Sequence, residues 1–103
     1  PMLIVMITVP SLHEAEAMAV KIVESKLAAC VQILPPMTSV YVWEGKLTRE
    51  REHLLLIKTL EEKYAELEAF INANHSYDVP EILAINAAEV AEPYSAWLAE
   101  TLA

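Results

Sequence analysis

The sequence contains one glycine, one cysteine, one phenylalanine and only seven lysines and arginines in 103 residues. Each scarcity excludes something. A lone cysteine cannot close an intrachain disulfide, which fits a reducing, cytoplasmic setting. Seven cations against fifteen carboxylates leave a net charge of −8, which argues against nucleic acid because few phosphates can be neutralised. No glycine-rich loop is present to cradle a phosphate, so a nucleotide ligand is disfavoured. No apolar run approaches the roughly 18 residues of a membrane span. The opening Met2–Ile7 stretch lacks the cationic start and small-residue cleavage site of a signal peptide.

What the chain has in excess is apolar surface. Hydrophobic residues make up 55% of it, and the mean hydropathy is +0.33. Surface scaling for this mass gives about 5,800 Å² folded against about 16,700 Å² unfolded, so about 65% is buried. A monomer this small cannot comfortably hide so much apolar material, and subunit interfaces would absorb the surplus. One oligomeric domain spanning residues 1–103 is expected.

Leu3–Val9 is a near-continuous Ile- and Val-rich run ended by Pro10, and reads as a buried central strand. Ser11-Leu12-His13-Glu14 matches a capping box, with the hydroxyl and the carboxylate each reaching a free amide. Ala15, Met18, Ala19, Ile22, Val23 and Leu27 then form one helical stripe, ending near Lys26. Ala29–Leu34 is a second strand, broken at Pro35-Pro36 and resumed as Thr38–Trp43. Glu44-Gly45 turns a hairpin into a strand over Glu52–Thr59. A second helix is expected over Glu61–Asn74, with Glu61, Glu62, Glu66 and Glu68 solvated. A strand over Ile82–Ala87 follows, then a short helix begun by Pro93. The order is β-α-β-β-α-β plus a C-terminal helix, an α+β, ferredoxin-like pattern.

His75-Ser76-Tyr77-Asp78-Val79-Pro80-Glu81 concentrates titratable groups in a stretch stiffened by Pro80, just before a strand. His75 has a metal-binding nitrogen, although no His or Cys stands at ligand spacing from it. Cys30 reads first as a packing residue, and Lys58 as a snorkelling cation or an anion contact. Trp43 and Trp97 read as core or interface anchors. Pro1-Met2-Leu3-Ile4-Val5 with Thr8-Val9-Pro10 looks like the opening of the tautomerase superfamily, but only over about ten residues.

Over almost its whole length the chain resembles the CutA family of divalent-cation-tolerance proteins. The resemblance rests on Ile7–Pro10, Lys26–Val31, Tyr41–Lys46, Ile57–Thr59, His75–Ile82 and Tyr94–Leu98. It implies a ferredoxin-like homotrimer similar in architecture to PII signalling proteins, without an established reaction. It also implies a ligand pocket near a subunit boundary, drawing on Cys30, Trp43, Lys58, His75, Tyr77 and Glu81. Copper binding in the family is attributed to a thiol before the strand Thr and to two consecutive histidines. Those positions are Ile7 and Asn74-His75 here, so only His75 remains as a metal ligand, and weak copper or other divalent-metal binding is expected. Ser76 stands where Pro is usual, which implies a slightly looser loop. Two alternatives are a PII-like sensor contacting a small anion through Lys58, and a Pro1-dependent tautomerase.

Overall fold

The computed structural model describes all residues, Pro1–Ala103. It contains β1 (Met2–Val9), α1 (Leu12–Glu24), β2 (Cys30–Ile33), β3 (Met37–Trp43), β4 (Lys46–Leu60), α2 (Tyr64–Asn74), β5 (Ile82–Asn86) and α3 (Glu92–Leu102). The sheet is antiparallel in the order β2-β4-β1-β5, and β3 pairs only with β4. This is the expected ferredoxin-like order with a C-terminal helix. The second helix begins later than expected, because Glu61–Lys63 form a 3₁₀ turn instead.

The largest departure from expectation is β4. It runs for 15 residues, beginning at Lys46 rather than Glu52. Its first half pairs with β3 from Trp43↔Lys46 to Met37↔Glu52, and its second half pairs with β1 from Val9↔His53 to Met2↔Leu60. The β3–β4 hairpin therefore leaves the body of the sheet as a two-stranded arm. Its reach accounts for the long axis of 45 Å against 25 and 23 Å. The radius of gyration, 14.3 Å, exceeds the about 12.8 Å of a compact chain this long.

Alternation along β1 sorts the core. Leu3, Val5, Ile7 and Val9 face one side, where Leu55 and Ile57 of β4 join Ala15, Met18 and Ile22 of α1 and Leu67 and Ile71 of α2. Ile4 and Met6 face the other side, level with Lys58 and Leu56 of β4 and with Ile85 and Leu83 of β5. There α3 covers only one end, where Leu98 and Leu102 pack with Met2 and Ala29. The rest of that face lies open: Leu83 is 42% and Ile85 49% exposed, and Trp97 stands at 44%. Neither tryptophan is a core anchor in the single chain, since Trp43 at the hairpin tip is 51% exposed.

α1 stops two residues short of Lys26. Lys26 takes a left-handed φ of 58°, its amide bonds the Val23 carbonyl, and the Leu27 amide bonds the Ile22 carbonyl. These two bonds, with Ile22 and Leu27 packed in the same core, form a Schellman motif, which favours glycine at the Lys26 position. A left-handed non-glycine residue costs about 1–2 kcal/mol, partly offset by the about 0.5–1 kcal/mol of backbone freedom that glycine must lose. Lys26→Gly should therefore stabilise the fold by about 0.5–1 kcal/mol, a rise of a few degrees in Tm by calorimetry. An unchanged or lower Tm would mean that the Lys26 Nζ bond to the Ala103 carbonyl (3.3 Å) matters more than backbone strain.

Candidate functional site

The loop after α2 is fastened by one imidazole. His75 ends α2, with its amide bonded to the Ile71 carbonyl. Its side chain is fully enclosed. The Tyr77 amide donates to Nδ1 at 3.0 Å, so Nδ1 is the acceptor and the neutral ring carries its hydrogen on Nε2. Nε2 then donates to the Thr8 carbonyl of β1 at 2.7 Å. Both nitrogens are thus occupied within the fold. A metal ion reaches His75 only after the Tyr77 amide or the Thr8 carbonyl has been displaced. No three His, Cys, Asp or Glu side chains converge as a metal cluster.

Glu14 closes the loop from the other side. Ser11 Oγ accepts from the Glu14 amide at 3.1 Å, so half of the expected capping box is present. The other half is absent, because the Glu14 carboxylate turns to the loop. It accepts from Ser76 Oγ at 2.8 Å and from the Ser76 amide at 3.2 Å, and approaches His75 Nδ1 to 3.7 Å. Ser76 thus ties the loop to α1 through both its amide and its hydroxyl.

Tyr77 packs its ring 4.9 Å from that of His75 and donates its hydroxyl to Glu52 Oε2 at 3.0 Å. Glu52 sits where β4 changes partner from β3 to β1 and is only 5% exposed. Burial, reinforced by the Glu52 carboxylate, raises the Tyr77 phenol above its ordinary value. Burial also raises Tyr41 on β3, helped by Glu50 and Glu52.

The six expected pocket residues do not meet within one chain. His75 and Tyr77 are together, and Glu81 stands exposed beside them, just before the Ile82↔Ile7 pair. Cys30 and Lys58 face each other across β2 and β4, and Lys58 Nζ lies 5.8 Å from the centre of the Tyr94 ring. Lys58 is six residues from Glu52 along β4, about 20 Å at strand rise. Trp43, opposite Lys46, is a similar distance the other way. The length of β4 therefore spaces these residues out within one chain, and the pocket expected of them was one near a subunit boundary. Glu14, Glu52 and the Thr8 carbonyl were not foreseen as site groups. The only sequence signal was Glu14 at a capping position, which pointed to a different partner. Pro1 is exposed, and its carbonyl accepts from the Glu61 amide.

The Tyr77–Glu52 bond has an alkaline signature. Above pH 10.0 an unfolded tyrosine loses its proton while folded Tyr77 keeps it. The folded state then binds more protons, so stability falls as pH rises past about 10 and is fully present below. This one group should contribute up to about 1 kcal/mol per pH unit. Chemical denaturation between pH 9 and 11 should show this slope flattened in Tyr77→Phe; an identical slope would place the titration elsewhere.

Residues 3–101 match the family described as CutA1 divalent ion tolerance protein. The divalent-cation tolerance protein CutA of Thermus thermophilus is 44% identical over 97 residues, 94% of each chain. The chloroplastic CutA protein of Arabidopsis thaliana is 44% identical over 98 residues, which cover 95% of this chain but 54% of that longer protein. A solved structure described as the periplasmic divalent cation tolerance protein CutA of Archaeoglobus fulgidus superposes with a TM-score of 0.97 at 40% identity, covering 100% of both chains. No helix here is long and apolar enough to cross a membrane. With the fold, the His75–Ile82 loop and these relatives in agreement, the chain belongs to the CutA1 family of divalent ion tolerance proteins.

Proposed function

We propose that this protein serves divalent-cation tolerance as a cytoplasmic homotrimer, and that it binds copper or another divalent metal weakly rather than catalysing a reaction. The observation that carries the reading is the open sheet face. Leu83 and Ile85 are 42 and 49% exposed beside Ile4 and Met6, Trp97 of α3 is 44% exposed, and a second copy is the economical cover for such apolar surface. Assembly is also the route by which Cys30, Trp43, Lys58, His75, Tyr77 and Glu81, dispersed along one chain, become neighbours across a subunit boundary. The names of the relatives supply the tolerance role, and the single free cysteine suits a reducing compartment. Pro1 catalysis has no support beyond the opening ten residues, whereas the family match spans residues 3–101.

Metal affinity is limited by His75. Copper(II) favours imidazole nitrogen, but here it competes with a backbone hydrogen bond at each nitrogen, and Ile7 and Asn74 add no ligand. A second reading, a PII-like sensor of a small anion, is favoured by one feature: Lys58 Nζ has no carboxylate within 4.0 Å and faces the Tyr94 ring.

Native mass spectrometry at micromolar concentration should give three times the 11.5 kDa chain. A monomer would overturn the trimer. Copper(II) calorimetry should show weak binding that falls with pH and is largely lost in His75→Ala. Nanomolar binding that survives this substitution would place the site elsewhere. Saturable binding of a small anion, abolished by Lys58→Ala, would favour the sensor.

A further inference from the structure

Glu52 is a buried carboxylate without a cation. It is 5% exposed, and the Tyr77 hydroxyl is its one side-chain partner. No lysine or arginine side chain lies within 4.0 Å of any Asp or Glu carboxylate; the one basic nitrogen that near is the neutral Nδ1 of His75, beside Glu14. Ionised carboxylates are rarely buried unpaired, because desolvation is costly unless an opposite charge offsets it. No enclosed side-chain oxygen lacks a partner, so the second Glu52 oxygen keeps an opening to solvent. A cation can reach it from outside.

The same hairpin carries the complementary feature on its other face. Arg49 and Arg51 are the only arginines of the chain. Their register opposite Val40 and Thr38 puts them on the side away from Glu50 and Glu52. Both are exposed, without a carboxylate within 4.0 Å, among Val40, Val42 and Leu47, which are 58, 68 and 70% exposed. One face of the arm is thus acidic and aromatic, with Glu50, Glu52 and Tyr41, apart from Lys46 at its tip. The other is cationic and aliphatic. A two-stranded arm is marginal alone, and nothing in its own chain covers the cationic, aliphatic face of this one. In a closed ring of copies, a head-to-tail contact sets the front of one subunit against the back of the next.

We propose that the Arg49/Arg51 face of one copy's hairpin packs on the Glu50/Glu52 face of the next, and that an arginine supplies the cation Glu52 lacks. This rests on the trimer reading and adds to it which surfaces meet and which charge pair closes the ring. Arginine suits the place: its planar fork can hold a carboxylate by two hydrogen bonds while its flat face stacks on Tyr41. Glu52 is then fixed from both sides, by Tyr77 of its own chain and by the neighbouring copy. The His75 loop becomes coupled to assembly through that one carboxylate.

Charge reversal tests the pairing. Arg49→Glu/Arg51→Glu alters exposed positions, so the subunit should keep its far-ultraviolet circular dichroism. Its trimer should dissociate on dilution at a concentration at least about tenfold higher than the parent's, by sedimentation or mass photometry. Adding Glu52→Arg to that variant should recover most of the loss. In a Glu52→Gln background, which keeps an acceptor for Tyr77, the same arginine reversal should weaken assembly far less than in the parent. A trimeric parent indifferent to the arginine reversal, or a combined variant no tighter than the reversal alone, overturns the pairing and leaves the trimer standing. A monomeric parent overturns both. Stoichiometric binding of methylguanidinium to the parent trimer, lost in Glu52→Gln with assembly unchanged, would assign the site to a small organic cation and overturn the pairing.

Discussion

Fifteen consecutive residues of β4 form antiparallel ladders with three other strands, and every other feature is positioned by them. β3 takes its first half, β1 the second, and β2 the stretch Leu55–Lys58 from the other side. Because side chains alternate strictly along a strand, one register fixes the helix-covered core, the open apolar face and the two faces of the hairpin together. A slip of one residue would turn Leu55 and Ile57 out of the core. The change of partner between Glu52 and His53 is where the hairpin leaves the sheet, and it is also where Tyr77 lands. The position of the candidate site is therefore a consequence of how long this strand is.

His75 joins what β4 leaves separate. Its ring links the end of α2, the loop amide of Tyr77 and the β1 carbonyl of Thr8, with the Glu14 carboxylate of α1 nearby. A buried ring with both nitrogens bonded contributes to order rather than to ligand capture, since removing either partner leaves a polar group unsatisfied at about 1–3 kcal/mol. Metal chemistry at this histidine is thus tied to loop opening. A single residue type that suggests coordination in the sequence acts here as a fastener between elements.

Much of the fold was legible because local signals agreed with one another. Ser11 capped α1, the Ile- and Val-rich run became β1, Gly45 turned the hairpin at φ 77°, and Pro93 opened α3. The apolar excess reappears as the exposed Leu83, Ile85 and Trp97. The first third of β4 was not legible, since Lys46–Arg51 is polar and its pairing depends on β3 rather than on burial. The end of α1 was misjudged because Lys26 adopts a conformation usually marked by glycine. Within the site, titratable residues were identifiable by type, but their partners were not. Glu14 reaches Ser76 across 62 positions, a contact set by the packing of α1 against the loop. The separation of Trp43, Lys58 and His75 within one chain was likewise not legible, because the extension of a strand is not visible in a list of motifs.

The tautomer of His75 is where this account of the site is most exposed to test. Imidazole nitrogen shifts from a ¹⁵N-labelled sample should show, for the neutral ring, hydrogen on Nε2 that exchanges slowly and Nδ1 as an unprotonated acceptor. Hydrogen on Nδ1, or rapid averaging between the two tautomers, would contradict it, because the ring would then be free of Tyr77 or Thr8 and open to a ligand.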